Sequence, residues 1–193
     1  MAVIFRCVIC GRSLGWQDAV PVPSCKAHGS RPELDVQRLE RANDRVLSLI
    51  SNYFGGTVQT VWGDSYDAAD SPAIVALEGG YIVGALSYAL DPGVLTVIGI
   101  AVDPQYQGSG AGGKLYRELE HVAAENNLQQ IRAATSNDNP LSIYFHQRIG
   151  FVIDSIHPID PSTVDPANRT GMGGIPLTHE LRLRYYFGLL GDL

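Results

Sequence analysis

Apolar positions change their period several times along this chain, and each change marks an element. Over residues 35–53, Val36, Leu39, Val46, Leu47 and Ile50 fall near helical spacing and predict one amphipathic helix. Residues 73–78 (AIVALE) and 81–88 (YIVGALSY) read as two strands, with Gly79-Gly80 as a hairpin turn between them. Residues 94–102 (VLTVIGIAV) form a third apolar run, read as a buried strand stopped by Asp103-Pro104. Leu115, Leu119 and Val122 lie on one face of a helix over 110–126, and QIRAAT at 130–135 reads as a strand. A helix over 140–149 has Pro140 in its first turn and Gly150 after its end. A strand from Phe151 to Ile156 and a Pro- and Gly-containing loop over 160–174 follow. The closing strand, 180–187, alternates Glu180, Arg182 and Arg184 with Leu181, Leu183 and Tyr185. The alternation of helix and strand predicts a mixed α/β (α+β) domain over 33–193.

Composition adds a second module. All three cysteines fall in the first 25 of the 193 residues. Cys7-x-x-Cys10-Gly11 and Cys25-x-x-His28-Gly29 are two similar knuckles. Zinc takes four tetrahedral S or N ligands, and such tight turns supply two each. A glycine after each pair lets the backbone turn its N–H groups toward the thiolates. Cys7, Cys10, Cys25 and His28 are therefore expected to hold a structural Zn²⁺ in a small zinc-binding module over residues 1–31, similar to a zinc ribbon. Buried free cysteines, a redox pair and an iron site are the competing readings. A segment this short buries too little surface to fold alone, so the metal would supply its folding energy.

The net charge is −6 and uneven. Residues 1–31 carry Arg6, Arg12, Lys26 and Arg31 against Asp18, a balance of +3, which leaves −9 for the rest. The acidic body argues against nucleic acid as a partner. No stretch has the length of a membrane span, and the start lacks the pattern of a secretory signal. The expected location is the cytoplasm. The pattern admits a homodimer and does not require one.

The strongest chemical signal is Gln105-Tyr106-Gln107-Gly108-Ser109-Gly110-Ala111-Gly112-Gly113, which follows a strand and opens a helix. Such a turn leaves backbone N–H groups converging at a helix N-terminus, a site suited to phosphates. Gly108, Gly110 and Gly113 also fit G-x-G-x-x-G. A dinucleotide turn, however, starts its glycines at the strand end and is followed by an acidic residue about 20 positions on. Here five residues intervene, and the next strand ends at Thr135-Ser136. A glycine-rich turn that binds nothing is the bland alternative.

Gln105-x-x-Gly108-x-Gly110 resembles the Q/R-x-x-G-x-G/A acyl-CoA motif of the GNAT N-acetyltransferase superfamily. Ile100-Ala101-Val102-Asp103-Pro104 resembles that family's strand end. Asn137-Asp138-Asn139 and Arg148-Ile149-Gly150-Phe151 resemble its later segment, in the same order over about residues 45–157. Gly174-Ile175-Pro176-Leu177…Glu180-Leu181 is similar, more loosely, to an ending found in one bacterial branch. The resemblance implies a GNAT-type mixed, splayed central β-sheet flanked by helices, with acetyl-CoA as cosubstrate. It implies backbone contacts of Ile100, Ala101 and Val102 with the pantetheine arm and stabilisation of a developing oxyanion. It places the pyrophosphate on the amides of Gln107, Gly108, Ser109, Gly110, Ala111, Gly112 and Gly113. Asn139 would touch the pantetheine, or serve only as a helix cap.

The implied reaction is acetyl transfer to an amine by direct attack in a ternary complex. The family's usual proton donor, a Tyr five residues before the Phe of "GF", corresponds to His146. That residue reads equally as a partly exposed helix histidine. Tyr144, about 200° around the helix, reads as core. The strand 94–102 lacks the family's Glu, with Thr96 its most polar side chain. Asp64, Asp67, Asp70 or a water chain would then supply the base. The alternative is a non-catalytic acyl-CoA-binding module whose zinc finger docks a protein or nucleic acid. A third reading is a nucleic-acid-binding finger with a vestigial fold behind it.

Overall fold

The computed structural model describes residues 32–187, without the side chain of Asn168, and the backbone alone of residues 5–6 and 13–15. Two short strands, β1 (Phe5–Arg6) and β2 (Ser13–Gly15), pair antiparallel. Cys7, Cys10, Cys25 and His28, the expected zinc ligands, lie outside the described residues.

From residue 32 onward the order is β3 (Asp35–Leu39), α1 (Asp44–Phe54), β4 (Val58–Val61), β5 (Asp64–Asp67), β6 (Ala73–Glu78) and β7 (Tyr81–Asp91). Then come β8 (Val94–Val102), α2 (Ala111–Glu125), β9 (Gln130–Ser136), α3 (Pro140–Arg148), β10 (Val152–Pro158) and β11 (His179–Tyr186). Seven strands follow the hydrogen-bonded order β10-β11-β9-β8-β7-β6-β3, and β4 pairs only with β5. The sheet is mixed. β8 and β9 run parallel, with their ladder confined to Leu95↔Ile131 and Thr96↔Arg132, whereas β3–β6, β6–β7, β9–β11 and β10–β11 are antiparallel. Among the described residues, no helix is long and apolar enough to cross a membrane.

The chain forms two compact units. The first takes the chain up to Val58, then Asp67–Ser87 and Gly99–Glu120; the second takes Gln59–Tyr66, Tyr88–Ile98 and the chain from His121 onward. Ala73–Leu77 of β6 is buried at every position, as are Val46, Ile50, Leu86, Leu115 and Leu119, and these form the core of the first unit. Leu95, Ile131, Ala133, Phe151, Leu181 and Leu183 form that of the second. Each large side chain removed from water in this way contributes about 1.5–3 kcal/mol.

One predicted element is corrected. The helix expected over 35–53 is a strand followed by a shorter helix. Asp35–Leu39 pairs antiparallel with Ala73–Leu77. Asn43 then accepts a side-chain hydrogen bond from Val46 N–H at 3.1 Å, and this cap starts α1 only at Asp44. Gly55, at φ 76°, closes the helix with its N–H on Ser51 O. Val36 and Leu39, three residues apart, follow helical spacing, and pairing with β6 overrides that local signal. The β4–β5 hairpin, turning at Trp62-Gly63, falls where the sequence reads as loop.

Candidate functional site

The glycine loop belongs to the first unit and is braced at both ends. Asp103 donates its N–H to Val83 O at 2.9 Å, accepts Gln105 N–H at 3.2 Å, and pairs with Arg45 at 3.1 Å. Tyr106 donates its hydroxyl to Glu78. Gln107 turns its side chain inward, donating to Tyr53 Oη at 3.0 Å and to Val102 O at 3.2 Å, while Tyr53 donates to the same carbonyl at 2.8 Å. Burial raises the Tyr53 pKa and keeps this hydroxyl a donor.

Gly108 and Gly110 have φ of 85° and 96°, a conformation that admits glycine and strains any other residue. Ser109 N–H is used by Tyr106 O and Ala111 N–H by Ser109 Oγ. The N–H groups of Gln107, Gly108, Gly110, Gly112 and Gly113 have no hydrogen-bond partner among the described residues. They stand at the start of the 15-residue α2, whose first-turn donors are unsatisfied by geometry and whose dipole favours an anion there. A side chain at Gly113 would meet nothing within 4 Å, so the loop is open on that side. Behind it, a side chain at Gly84 would lie 3.3 Å from Val102 and 3.6 Å from Leu115, so β7, β8 and α2 pack closely there and an added Cβ would have to displace Val102 by a few tenths of an ångström.

The second unit holds Asn139, Tyr144 and His146. Asn139 caps α3, accepting Ser142 N–H on Oδ1 at 3.0 Å, and its Nδ2 has no partner among the described residues. The expected exposures of His146 and Tyr144 are reversed. His146 is 3% exposed, with Phe145 and Phe151 edge-on to its ring at 5.4 and 5.3 Å. Its Nδ1 lies 2.8 Å from Ser142 O, which requires the Nδ1–H tautomer. Burial pushes its pKa down to about 4, so the ring is neutral at physiological pH. Tyr144 points outward at 47% exposed. The roughly 200° between them separates the two faces as expected, but α3 packs on the face that carries His146.

The carboxylates considered as bases are all engaged. Asp64 pairs with Arg132 at 2.9 Å, and Asp70 with Arg41. Asp67 accepts Ala69 N–H at 2.9 Å, which together with the Thr57 hydroxyl holds its pKa below the usual carboxylate range. Thr96 is fully buried, donating to Asp91 at 2.5 Å and accepting Arg132 Nε–H at 2.7 Å.

Sequence reasoning missed the network behind that contact. Arg132 Nη2 also reaches Tyr66 Oη at 2.5 Å and Asp91 at 3.2 Å, and Tyr66 donates to Asp91 at 2.9 Å. Trp62 donates its indole N–H to Ala133 O at 2.9 Å, one residue beyond the last pair of the β8–β9 ladder. Turn signals centred on Asn-Gly or Asp-Gly do not reveal a Trp-Gly turn.

The family model for the acetyltransferase (GNAT) family matches residues 43–151. A curated relative, the uncharacterized protein YdhI of Bacillus subtilis (strain 168), is 29% identical over 92 residues, which cover 48% of this chain and 54% of the relative. The match thus spans about half the length of that relative. Among solved structures, the IAA acetyltransferase from Bacillus cereus ATCC 14579 aligns with a TM-score of 0.63 at 21% identity, covering 80% of this chain and 99% of that one. A GNAT family acetyltransferase from Elizabethkingia anophelis, solved with acetyl-CoA bound, aligns with a TM-score of 0.61 at 17% identity, covering 79% and 97%. At these identities the structural likeness speaks to the fold.

Proposed function

Because this chain belongs to the GNAT acetyltransferase family, we propose that it binds acetyl-CoA and transfers the acetyl group to an amine by direct attack in a ternary complex. The observation that carries the reading is the set of unpartnered N–H groups of Gln107, Gly108, Gly110, Gly112 and Gly113 at the start of α2. Donors fixed in this way suit a pyrophosphate, and the positive φ of Gly108 and Gly110 keeps side chains out of its way. The N–H groups of Ser109 and Ala111 are already bonded, so they would shape the loop rather than hold the phosphates.

Ile100 and Ala101 would offer backbone groups to the pantetheine arm and polarise the acetyl carbonyl. The Val102 carbonyl is taken by Tyr53 and Gln107 and is not offered to a ligand. Asn139 Oδ1 caps α3, which leaves Nδ2 as the group that would donate to a pantetheine amide. His146, neutral and buried, would shape the core beneath Phe151 instead of protonating the leaving thiolate. Tyr144 keeps the accessibility that this step needs. Cys7, Cys10, Cys25 and His28 would hold a structural Zn²⁺, a reading carried by their ligand chemistry in the sequence alone. Metal content of the purified chain, compared with that of a Cys10→Ser variant, tests it.

Release of free thiol from acetyl-CoA, measured over a broad panel of primary amines, tests the transfer. Amine-dependent release supports the enzyme. One observation favours the second reading, a non-catalytic acyl-CoA-binding module: Asp64, Asp67, Asp70 and Thr96 are all committed to other partners. Tight acetyl-CoA binding without thiol release from any amine would select it.

A further inference from the structure

One face of β9 and β11, within the second unit, gathers three arginines around a single indole. Arg132 stands directly opposite Arg184 across the ladder, and Arg182, two residues along β11, shares the face. Their guanidinium carbons lie 5.8, 4.6 and 5.6 Å from the Trp62 ring centroid, in the order Arg132, Arg184, Arg182. Like charges directly opposite each other on a ladder repel. Trp62 itself has φ 59°, a left-handed conformation that a bulky residue adopts only under constraint. Asp154, 3.0 Å from Arg184, sits at the irregularity in the β10–β11 register between Ile153 and Ser155. Bulges of this kind re-aim side chains beside sites. Three local departures from the preferred arrangement meet at one place, the pattern expected where function overrides stability.

The hydrogen bonds give the three arginines different parts. Arg132 gives Nε to Thr96 and Nη2 to Asp64, Tyr66 and Asp91, so its Nε and Nη2 edge is held within the network. Arg182 donates only through Nε, to Glu180 at 2.6 Å, and neither of its Nη groups has a hydrogen-bond partner among the described residues. Arg184 gives Nη1 to Gln130 at 2.7 Å, its Nε lies in ion-pair contact with Asp154 but is misaligned for a hydrogen bond, and its Nη2 has no partner among the described residues. The two side chains are 22% and 23% exposed, partly desolvated and still accessible. Arg182 Nη2 lies 3.8 Å from the position a side chain on Gly63 would take, so its open edge sits at the hairpin turn. A guanidinium with both Nη groups free matches the two oxygens of a carboxylate in one plane.

We propose that Arg182 and Arg184, walled by Trp62 beside the network-bound Arg132, bind the carboxylate of the acceptor, which makes the acceptor a carboxylate-bearing amine of the amino-acid class. This rests on the acetyl-transfer reading above. Arg182 would take the carboxylate through Nη1 and Nη2, and Arg184 would add Nη2. The transfer itself forms the N–C(acetyl) bond and breaks the C–S bond, with the amine proton going to solvent or base and the thiolate leaving as CoA.

The test compares L-amino acids with their carboxamides, which differ only in the group proposed to be read. Thiol release from acetyl-CoA by the full-length chain should favour the acid over its amide by at least about tenfold in kcat/KM for the side chains accepted. Arg182→Gln should lower turnover of the acid to the level of the amide, and Arg182→Lys, which keeps the charge and loses the fork, should retain part of the preference. A melting temperature close to that of the wild type establishes that each variant is folded. Calorimetric titration with the acid and the amide, without acetyl-CoA, reads the same discrimination independently of catalysis. An equal or better amide, an acid-to-amide ratio unmoved in Arg182→Gln, or a chain that binds acetyl-CoA and no amino acid would each overturn the proposal. Failure to bind acetyl-CoA would instead sink the acetyl-transfer reading.

Discussion

Asn137 holds Thr178: its Oδ1 accepts the Thr178 N–H at 2.8 Å, and the His179 N–H at the same distance. Its Nδ2 donates to Pro176 O at 2.9 Å, and its own N–H goes to His179 O. Next to it, Asp138 accepts Met172 N–H on its carbonyl and packs its carboxylate where a side chain on Gly171 would stand. Two sequence motifs more than 30 residues apart, Asn137-Asp138-Asn139 and Gly174-Ile175-Pro176-Leu177, are thus one structural feature. Asn137→Ala should cost about 1–3 kcal/mol of unfolding free energy. Asn137→Asp keeps the two accepted bonds and should cost less. Urea unfolding of the two variants measures the difference, and equal stability of the alanine variant and the wild type would refute the clamp.

The buried His146 makes stability depend on pH. Its folded pKa is lowered from 6.5 to about 4, so the unfolded chain takes up a proton here before the folded one does. Stability is therefore unaffected above about pH 6.5, falls as the pH drops through the window, and is reduced by up to about 3 kcal/mol below pH 4. His146→Leu should flatten the stability profile between those limits. The same variant tests the proton-donor role. If His146 only packs, kcat keeps its pH profile; loss of a limb of that profile would restore His146 as the acid.

Arg132 and Arg41 both form ion pairs, with opposite expected consequences. The Arg132 side chain is 16% exposed and ties Asp64, Tyr66, Asp91 and Thr96 together. Arg132→Met leaves Asp91 and Thr96 short of a donor and should cost about 3 kcal/mol. Arg41 and Asp70 are 68% and 71% exposed, and Arg41→Ala should change stability by less than about 1 kcal/mol. Chemical denaturation of the two variants side by side checks the contrast, which comparable losses would contradict.

The glycine loop and the elements around it are legible in the sequence because local rules govern them. Asp103-Pro104 stops a strand, Gly108 and Gly110 take the left-handed turns, and Pro140 and Gly150 bound α3. Asp35–Leu39 is not legible, because Val36 and Leu39 stand three apart at helical spacing, and β6 supplies the hydrogen bonds that make the segment a strand. The faces of α3 are misread for a related reason. Helical spacing separates Tyr144 from His146 but does not say which side meets the sheet, and the neutral form of His146 is buried readily beneath Phe151. The arginine cluster escapes notice because it is assembled from β4–β5, β9 and β11, with no motif in any one of them.

The most direct test of the central claim is calorimetric titration of the purified chain with acetyl-CoA, beside a Gly110→Asp variant. Aspartate there would put bulk and negative charge among the free N–H groups and strain a backbone at φ 96°. Binding in the micromolar range, on the order of 8 kcal/mol, is expected of the wild type and none of the folded variant. Equal affinity in the variant, or no binding by the folded wild type, would contradict it.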